Sequence, residues 1–409
     1  MTKRGLFFLV TGLVILMAVG AIAQDLASPA KGAIVAPPST LVRTPGRVHT
    51  PLYVFIPEKN TSPALPNGET PASVACMYGI VPPTSGCPKN GTIVSTGGAN
   101  AIAVVEYGNY SNVQNDLVTF SNQFGLGGNT TIINLCYPGP SCPANNGSGW
   151  DLEEALDVEY AHAMAPNAQI IVVSFTSDPL GDNAEQSAAQ YIATNYGAGE
   201  MSNSWTYNGG ESWCGSGNCE LEYDSDFAQP GIVYFGAAGD DGLGPAYPSI
   251  SPNVISAGGT TVARDSNGNF TGESCWSGSG GGLSVYEPLP QYQLFVANRT
   301  NFKRGTPDWA AVANPNTGVD VYSSTYCGGW CIVGGTSVAT PVLAGIVNEV
   351  GHFKSSTLTE LSPTYQIYIR PVQYETTFRD ETTGSNGSPA KLGWDECTGL
   401  GSIQKPAIF

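Results

Sequence analysis

Ser337 lies in the stretch GGTSVATP, residues 334–341. A Gly-Gly-Thr-Ser turn here runs into residues that can start a helix, and Pro341 is expected in the first helical turn, where its missing N–H costs little. A serine at a helix N-terminus has free backbone N–H groups beside its hydroxyl, a setting that suits a nucleophile. It still needs a base, and the chain of 409 residues has only three histidines, His49, His162 and His352. His49 lies in an N-terminal stretch that reads as a leader. If His352 shares a helix with Ser337, the rise per residue puts the two roughly 22 Å apart. His162 remains, within GWDLEEALDVEYAHAMA, residues 149–165.

That segment reads as a helix ending before Pro166, capped by Ser148 with Asp151 in a box-like start. Leu152, Ala155, Leu156 and Ala163 should form its core face. Glu153 and Asp157, four residues apart, share a face; Glu154 and Asp157, at i,i+3, form a rival pair. Glu153 and His162 point to opposite sides, so the carboxylate pair and the histidine cannot serve one site. A plainer reading also stands: Asp151, Glu153 and Glu154 crowd a first turn, where the helix dipole favours negative charge.

The elements that must position these groups alternate in type. Apolar runs at 101–108, 130–137, 168–175, 200–205, 231–239 and 253–262 suit buried strands, and helical spacing appears at 115–125, 149–165 and near 183–195. This alternation predicts an α/β fold with a doubly wound parallel sheet and helices on both faces. In such sheets ligand sites gather at the carboxyl ends of strands. The turns after Glu106, Trp205 and Asp240 fall there. The glycine-rich run 277–282 lacks the lysine of a phosphate loop and reads as a plain loop.

Residues 1–23 read as a signal peptide: Lys3 and Arg4, an apolar run from Leu6 to Val19, and a small-residue cleavage site at Ala23. Residues 24–75 show no sustained periodicity and read as an extended leader or short pro-region, with one globular domain over 76–409. Ten cysteines fit an oxidising, extracellular compartment. Four pairs are close in sequence (76/87, 136/142, 214/219, 327/331), leaving Cys275 and Cys397 to pair across the fold. With a net charge of −17, the chain is a poor partner for nucleic acid or anionic membrane. The low charge content and acidic balance suit a secreted protein living in acid. A monomer is expected.

GWDLEEALDVEYAHAMAP, GAAGDDG and GGTSVATP, in this order along the chain and with α/β alternation between them, resemble the sedolisin family of serine-carboxyl peptidases, which share the subtilisin-like fold. The likeness spans about residues 76–405. It implies a secreted, acid-acting endopeptidase that hydrolyses protein or peptide substrates. Ser337 matches the family's nucleophile, Glu153 its general base, and Asp157 the carboxyl that supports the base. Asp240 matches the aspartic acid that donates to the oxyanion. Glu106 and Trp205 match residues that extend the hydrogen-bond chain behind the base in some members, and residues 202–205 (SNSW) the segment that pairs with substrate backbone. FRDETTGSNG and AKLGWDECTGLGS, within 378–402, resemble the family's calcium loop. That match implies one structural Ca2+ held by Asp380 and Asp395 and by the carbonyls of Glu381, Lys391 and Gly393. One departure stands out: most sedolisins carry a prodomain of well over a hundred residues, whereas about fifty separate Ala23 from ACMYGIVP. The competing readings are a histidine-dependent subtilisin relying on His162, an inactive secreted binding module of the same fold, and a calcium-stabilised carbohydrate binder.

Overall fold

The computed structural model describes residues 32–57, 67–145, 147–215 and 219–406. The proposed signal peptide and its cleavage site lie outside these residues. The expected strands all form. Among the described residues, the main sheet runs in the spatial order 378–379, 402–403, 309–312, 254–264, 232–237, 199–203, 101–107, 169–175, 132–137, with 270–275 paired to 254–264. Pairing is parallel from Ser402 through to Tyr137. Alternate side chains of Ala101–Tyr107 go to opposite faces, as a strand's period of two requires. Ile102 and Val104 pack with the helices Trp150–Met164 and Thr336–Val350, while Ala101, Ala103 and Val105 pack with Ala184–Asn195. Both faces are covered, which is why these strands read as continuous apolar runs. The subtilisin-like architecture expected from the sequence is therefore the one observed.

Two expectations fail in detail. The helix Trp150–Met164 has no polar face, because all fifteen of its residues are buried. It lies in the middle of the molecule, between the sheet, the serine helix and the neighbouring helix Val113–Phe124, so amphipathic spacing has nothing to sort. Ser148 is not its cap. The cap is Gly149 at φ +96°, with no side-chain bond to the first turn. Asp151 turns back instead and accepts from the N–H groups of Gly147 (2.7 Å) and Gly149 (3.0 Å).

The serine helix begins at Thr336, so Pro341 sits in its second turn rather than its first. There a proline removes the N–H that would bond to the carbonyl four residues back, which is that of Ser337.

Residues 32–57, which fall in the stretch read as a leader, are woven into the body. Gly32–Val35 pairs with Tyr53–Pro57, and Tyr53–Pro57 pairs with Gly329–Gly334, the strand leading into the turn before Ser337. Val48–His49 pairs antiparallel with Thr206–Tyr207. All five expected disulfides form, Cys275–Cys397 among them. No helix among the described residues is long and apolar enough to cross a membrane.

Candidate active site

The serine helix and the carboxylate helix pack against each other, and this contact brings Ser337 to Glu153. Ser337, Glu153, Asp157 and Glu106 are all at 0% exposure. Burial pushes the Glu153 carboxyl well above the usual carboxylate range, and the charge of Asp157 adds to it; the Ser337 hydroxyl pulls the other way. The two groups face each other without a closed hydrogen bond, since Ser337 Oγ and both oxygens of Glu153 lack a conventional partner. Catalytic contacts in resting structures are often loose in this way and tighten on binding.

Asp157 is also raised by burial, and is drawn down by the hydroxyl of Ser204 and by Glu106. Ser204 Oγ donates to Asp157 Oδ1 at 2.9 Å, and it also reaches the Ser337 carbonyl at 3.4 Å. That carbonyl is the one Pro341 leaves without a helical donor, and the single Ser204 proton can turn to it or to Asp157, the shorter of the two contacts. Glu106, near the end of Ala101–Tyr107, is raised by burial and then by Asp157, Glu153 and Glu154. Trp205 is fully buried, stacked edge-on against Tyr207 at 5.5 Å. Its indole Nε1 has no hydrogen-bond partner among the described residues, so it does not join the Glu106 chain here.

The rival pair is separated. Glu154 accepts from the N–H of Tyr110 at 3.0 Å, on another side of the helix from Ser337. His162 is buried with both ring nitrogens unpartnered, and burial holds its pKa down at about 4. It is a neutral core side chain that does not meet Ser337. His352 lies beyond the serine helix, after its Gly351 cap.

Asp240 follows the strand Ile232–Ala237, at the carboxyl end as expected. Its Oδ1 accepts from both the N–H and the hydroxyl of Thr336, each at 2.8 Å. Its Oδ2 is buried without a partner. Burial pushes its pKa up to about 7, the Thr336 bonds pull it back, and Asp241 raises it again. Gly335, at φ +116°, separates Asp240 from the helix. A Cβ there would lie 2.7 Å from Asp240 Oδ2 and 2.1 Å from the carbonyl oxygen of Pro51, so the backbone conformation and the crowding both demand glycine. The sequence reading missed Ser204 and Thr336. Their signal was adjacency alone, one beside Trp205 and one beside Ser337.

In the loop 378–402, Asp380 accepts from the N–H of Gly393 (2.7 Å) and Asp395 from that of Lys391 (2.9 Å). The Glu381 side chain points elsewhere, to Ser402, leaving only its carbonyl for the loop. Lys391 is not among the positive-φ residues, so a non-glycine side chain fits there. Among the described residues neither aspartate forms an ion pair, and no group of three or more His, Cys, Asp or Glu side chains gathers as a metal cluster. Two carboxylates not closed by an ion pair, supplemented by carbonyls, make an oxygen donor set of the kind a hard cation takes.

Known proteins resemble this chain in sequence and in fold. The subtilase family profile (peptidase S8) matches residues 142–394. Kumamolisin of Bacillus sp. (strain MN-32) is 28% identical over 380 residues, covering 84% of this chain and 64% of that protein. Sedolisin of Pseudomonas sp. (strain 101) is 27% identical over 347 residues, 75% of this chain and 57% of its own. The chain thus spans somewhat under two thirds of the length of these relatives. The solved Pseudomonas sedolisin, a serine-carboxyl proteinase complexed with pseudo-iodotyrostatin, superposes with a TM-score of 0.65 at 23% identity, covering 83% of this chain and 96% of its own.

Proposed function

Since the chain belongs to the subtilase family, in its sedolisin branch of serine-carboxyl peptidases, we propose that it is a secreted endopeptidase working in acid, with Ser337 as nucleophile and a carboxyl pair in place of histidine. One observation carries this reading: the buried Ser337 hydroxyl faces Glu153, and behind Glu153 stand Asp157 and Glu106 rather than an imidazole.

Ser337 Oγ attacks the peptide carbonyl while Glu153 takes its proton. Asp157, hydrogen-bonded by Ser204, sets the charge and orientation of Glu153. Buried carboxyls in contact share protons, because the second ionisation is opposed by the first. The developing oxyanion takes the N–H of Ser337 and a proton held on Asp240 Oδ2. Asp240 donates only when protonated, which holds below about 7. Glu153 returns its proton to the leaving amine. Water, activated by the same carboxylate, then releases the acyl group and regenerates Ser337.

Asp380 and Asp395, with the carbonyls of Glu381, Lys391 and Gly393, would hold one Ca2+. Bound there, it offsets the two negative charges and ties the loop to the edge of the sheet. Residues 1–23 direct export.

Casein digestion at pH 3–5 tests the core of the proposal. Wild type should digest, and Ser337→Ala and Glu153→Gln should not. Full digestion by either variant would reject the assignment. Undiminished activity in Glu153→Gln but loss in His162→Ala would instead favour a histidine mechanism.

A further inference from the structure

One carboxyl serves two purposes at the head of the serine helix. Gly335 caps that helix and has no side chain with which to satisfy its first N–H groups. Asp240, 96 residues away in the chain, takes that place: its Oδ1 accepts the N–H and the hydroxyl of Thr336, each at 2.8 Å. The hydroxyl is itself held. Gly239 N–H donates to Thr336 Oγ1 at 3.1 Å, so the one hydroxyl proton is directed to Asp240. The methyl closes the other side, with Thr336 Cγ2 3.4 Å from where a Cβ on Gly259 would stand. Thr336 is fully buried, and branching at Cβ leaves its side chain little freedom to turn.

A carboxyl oxygen has two lone pairs, and two donors fill those of Oδ1. A proton placed on Oδ1 would displace one of them. Oδ2 is buried and has no partner. It lies on the side of Ser337: the Ser337 N–H donates to the Pro51 carbonyl oxygen at 3.2 Å, and a Cβ at Gly335 would stand 2.1 Å from that oxygen and 2.7 Å from Oδ2. When Asp240 is neutral, its proton therefore sits on Oδ2. The other titratable groups whose fields meet here are Asp241, Glu153 and Tyr53, with His49 lining the same cleft. Among the described residues, only Thr336 bonds to the Asp240 carboxyl.

We infer that Thr336 is a positioning residue for the proposed reaction: by filling Oδ1, it fixes the proton of Asp240 on the oxygen that faces the oxyanion. The inference rests on Asp240 serving the oxyanion. No bond is made or broken at Thr336. The Oδ2–H donates as the substrate carbonyl oxygen gains charge, and it stays on Asp240 when the tetrahedral intermediate collapses. A carboxyl free to carry its proton on either oxygen would present a bare acceptor to the oxyanion part of the time, and repel it. The two Thr336 bonds also favour the ionised form, and so set how far toward neutrality Asp240 keeps its proton.

Measuring kcat and KM on a peptide substrate across the pH range of activity tests this. Thr336→Val removes the hydroxyl at nearly constant volume. It should lower kcat about tenfold with KM unchanged, because the oxyanion exists only in the transition state. The alkaline limb of its kcat profile should move up by about half a unit to one unit, as expected for one lost hydrogen bond to the ionised form. Thr336→Ser keeps the hydroxyl and should restore the wild-type limb. In Asp240→Asn nothing titrates at this position, so adding Thr336→Val there should move no limb. Thr336→Ala also lacks the hydroxyl, should shift the limb as Thr336→Val does, and replaces it if the valine variant does not fold. A limb unmoved in the hydroxyl-free variants, or one that moves equally in the Asp240→Asn background, would overturn this inference while leaving Asp240 at the oxyanion. So would a serine variant whose limb moves as the valine variant's does. Undiminished kcat in Asp240→Ala would remove Asp240 from the oxyanion, and this inference with it.

Discussion

Glu153 and Asp157 sit on the same helix as Glu154 and Glu159, all four fully buried, and differ in what faces them. Glu154 accepts the N–H of Tyr110, and Glu159 that of Tyr322, each at 3.0 Å. These carboxyls accept from the backbone of a neighbouring loop and of the strand Val319–Ser323. Glu153 and Asp157 instead face hydroxyls and each other. A main-chain N–H fixes a carboxyl in one role, since it can only donate. A hydroxyl can give or receive a proton, so the second pair keeps the freedom that proton transfer requires. Burial alone does not distinguish these four carboxyls; on this helix the kind of partner does.

The sharpest way to break this contrast is to neutralise each side in turn. Ser337→Ala should lower kcat/KM by about 10⁴-fold or more, and Glu153→Gln by about 10²–10⁴-fold. Glu154→Gln should keep activity within about threefold on peptide substrate at pH 4. Equal losses at Glu153 and Glu154 would erase the distinction between the two sides. Next in size, Asp240→Ala should cost about 10²–10³ in kcat. Asp240→Asn keeps a neutral donor at every pH, so its pH–rate profile should reach further toward neutrality than that of wild type. An unshifted profile would remove Asp240 from the oxyanion.

Buried carboxyls on the strands Gly199–Asn203 and Val319–Ser323 make their own prediction, on stability. Burial raises Glu200 and Asp320 to about 8, against about 4 for such groups in an unfolded chain. Across that interval the folded state binds more protons than the unfolded one. The stabilisation is therefore complete below about pH 4 and is lost as pH rises through 8. Thermal denaturation should show a Tm several degrees higher at pH 4 than at pH 8. A chelator at pH 5 should lower Tm by a smaller amount, a few degrees, through the loop at Asp380 and Asp395. The smallest effect expected is that of Ser204→Ala. It leaves Asp157 with one fewer donor and should reduce kcat by about tenfold with KM unchanged, and stopped-assay kinetics would read the split.

Much of this arrangement could be read from the residues. The strand runs were legible because burial on both faces leaves no polar alternation to confuse them. The start of a helix near Ser337 was legible from its glycine turn, and the spacing of Glu153 and Asp157 already put the two on one face. Choosing Glu153 over Glu154 took the likeness to a family, because both choices satisfy helical spacing; the fold separates them through Tyr110, whose N–H no local pattern announces. The cap at Gly149 was missed because Ser148 and Asp151 mimic a capping box while making turn contacts instead. The place of residues 46–57 was not legible at all. Their partners, Thr206, Gly329–Gly334 and Ser337, are remote in sequence, and a strand stabilised wholly by such partners needs no periodicity of its own.

A helix normally spends every inner carbonyl on itself, which insulates it from its surroundings. By withholding one N–H, Pro341 turns the Ser337 carbonyl outward, and Ser204, from the segment that edges the cleft, reaches both that oxygen and Asp157. One hydroxyl thus links the backbone of the serine helix to a carboxyl of its neighbour, a tie between two helices that neither could make from its own hydrogen-bonded interior.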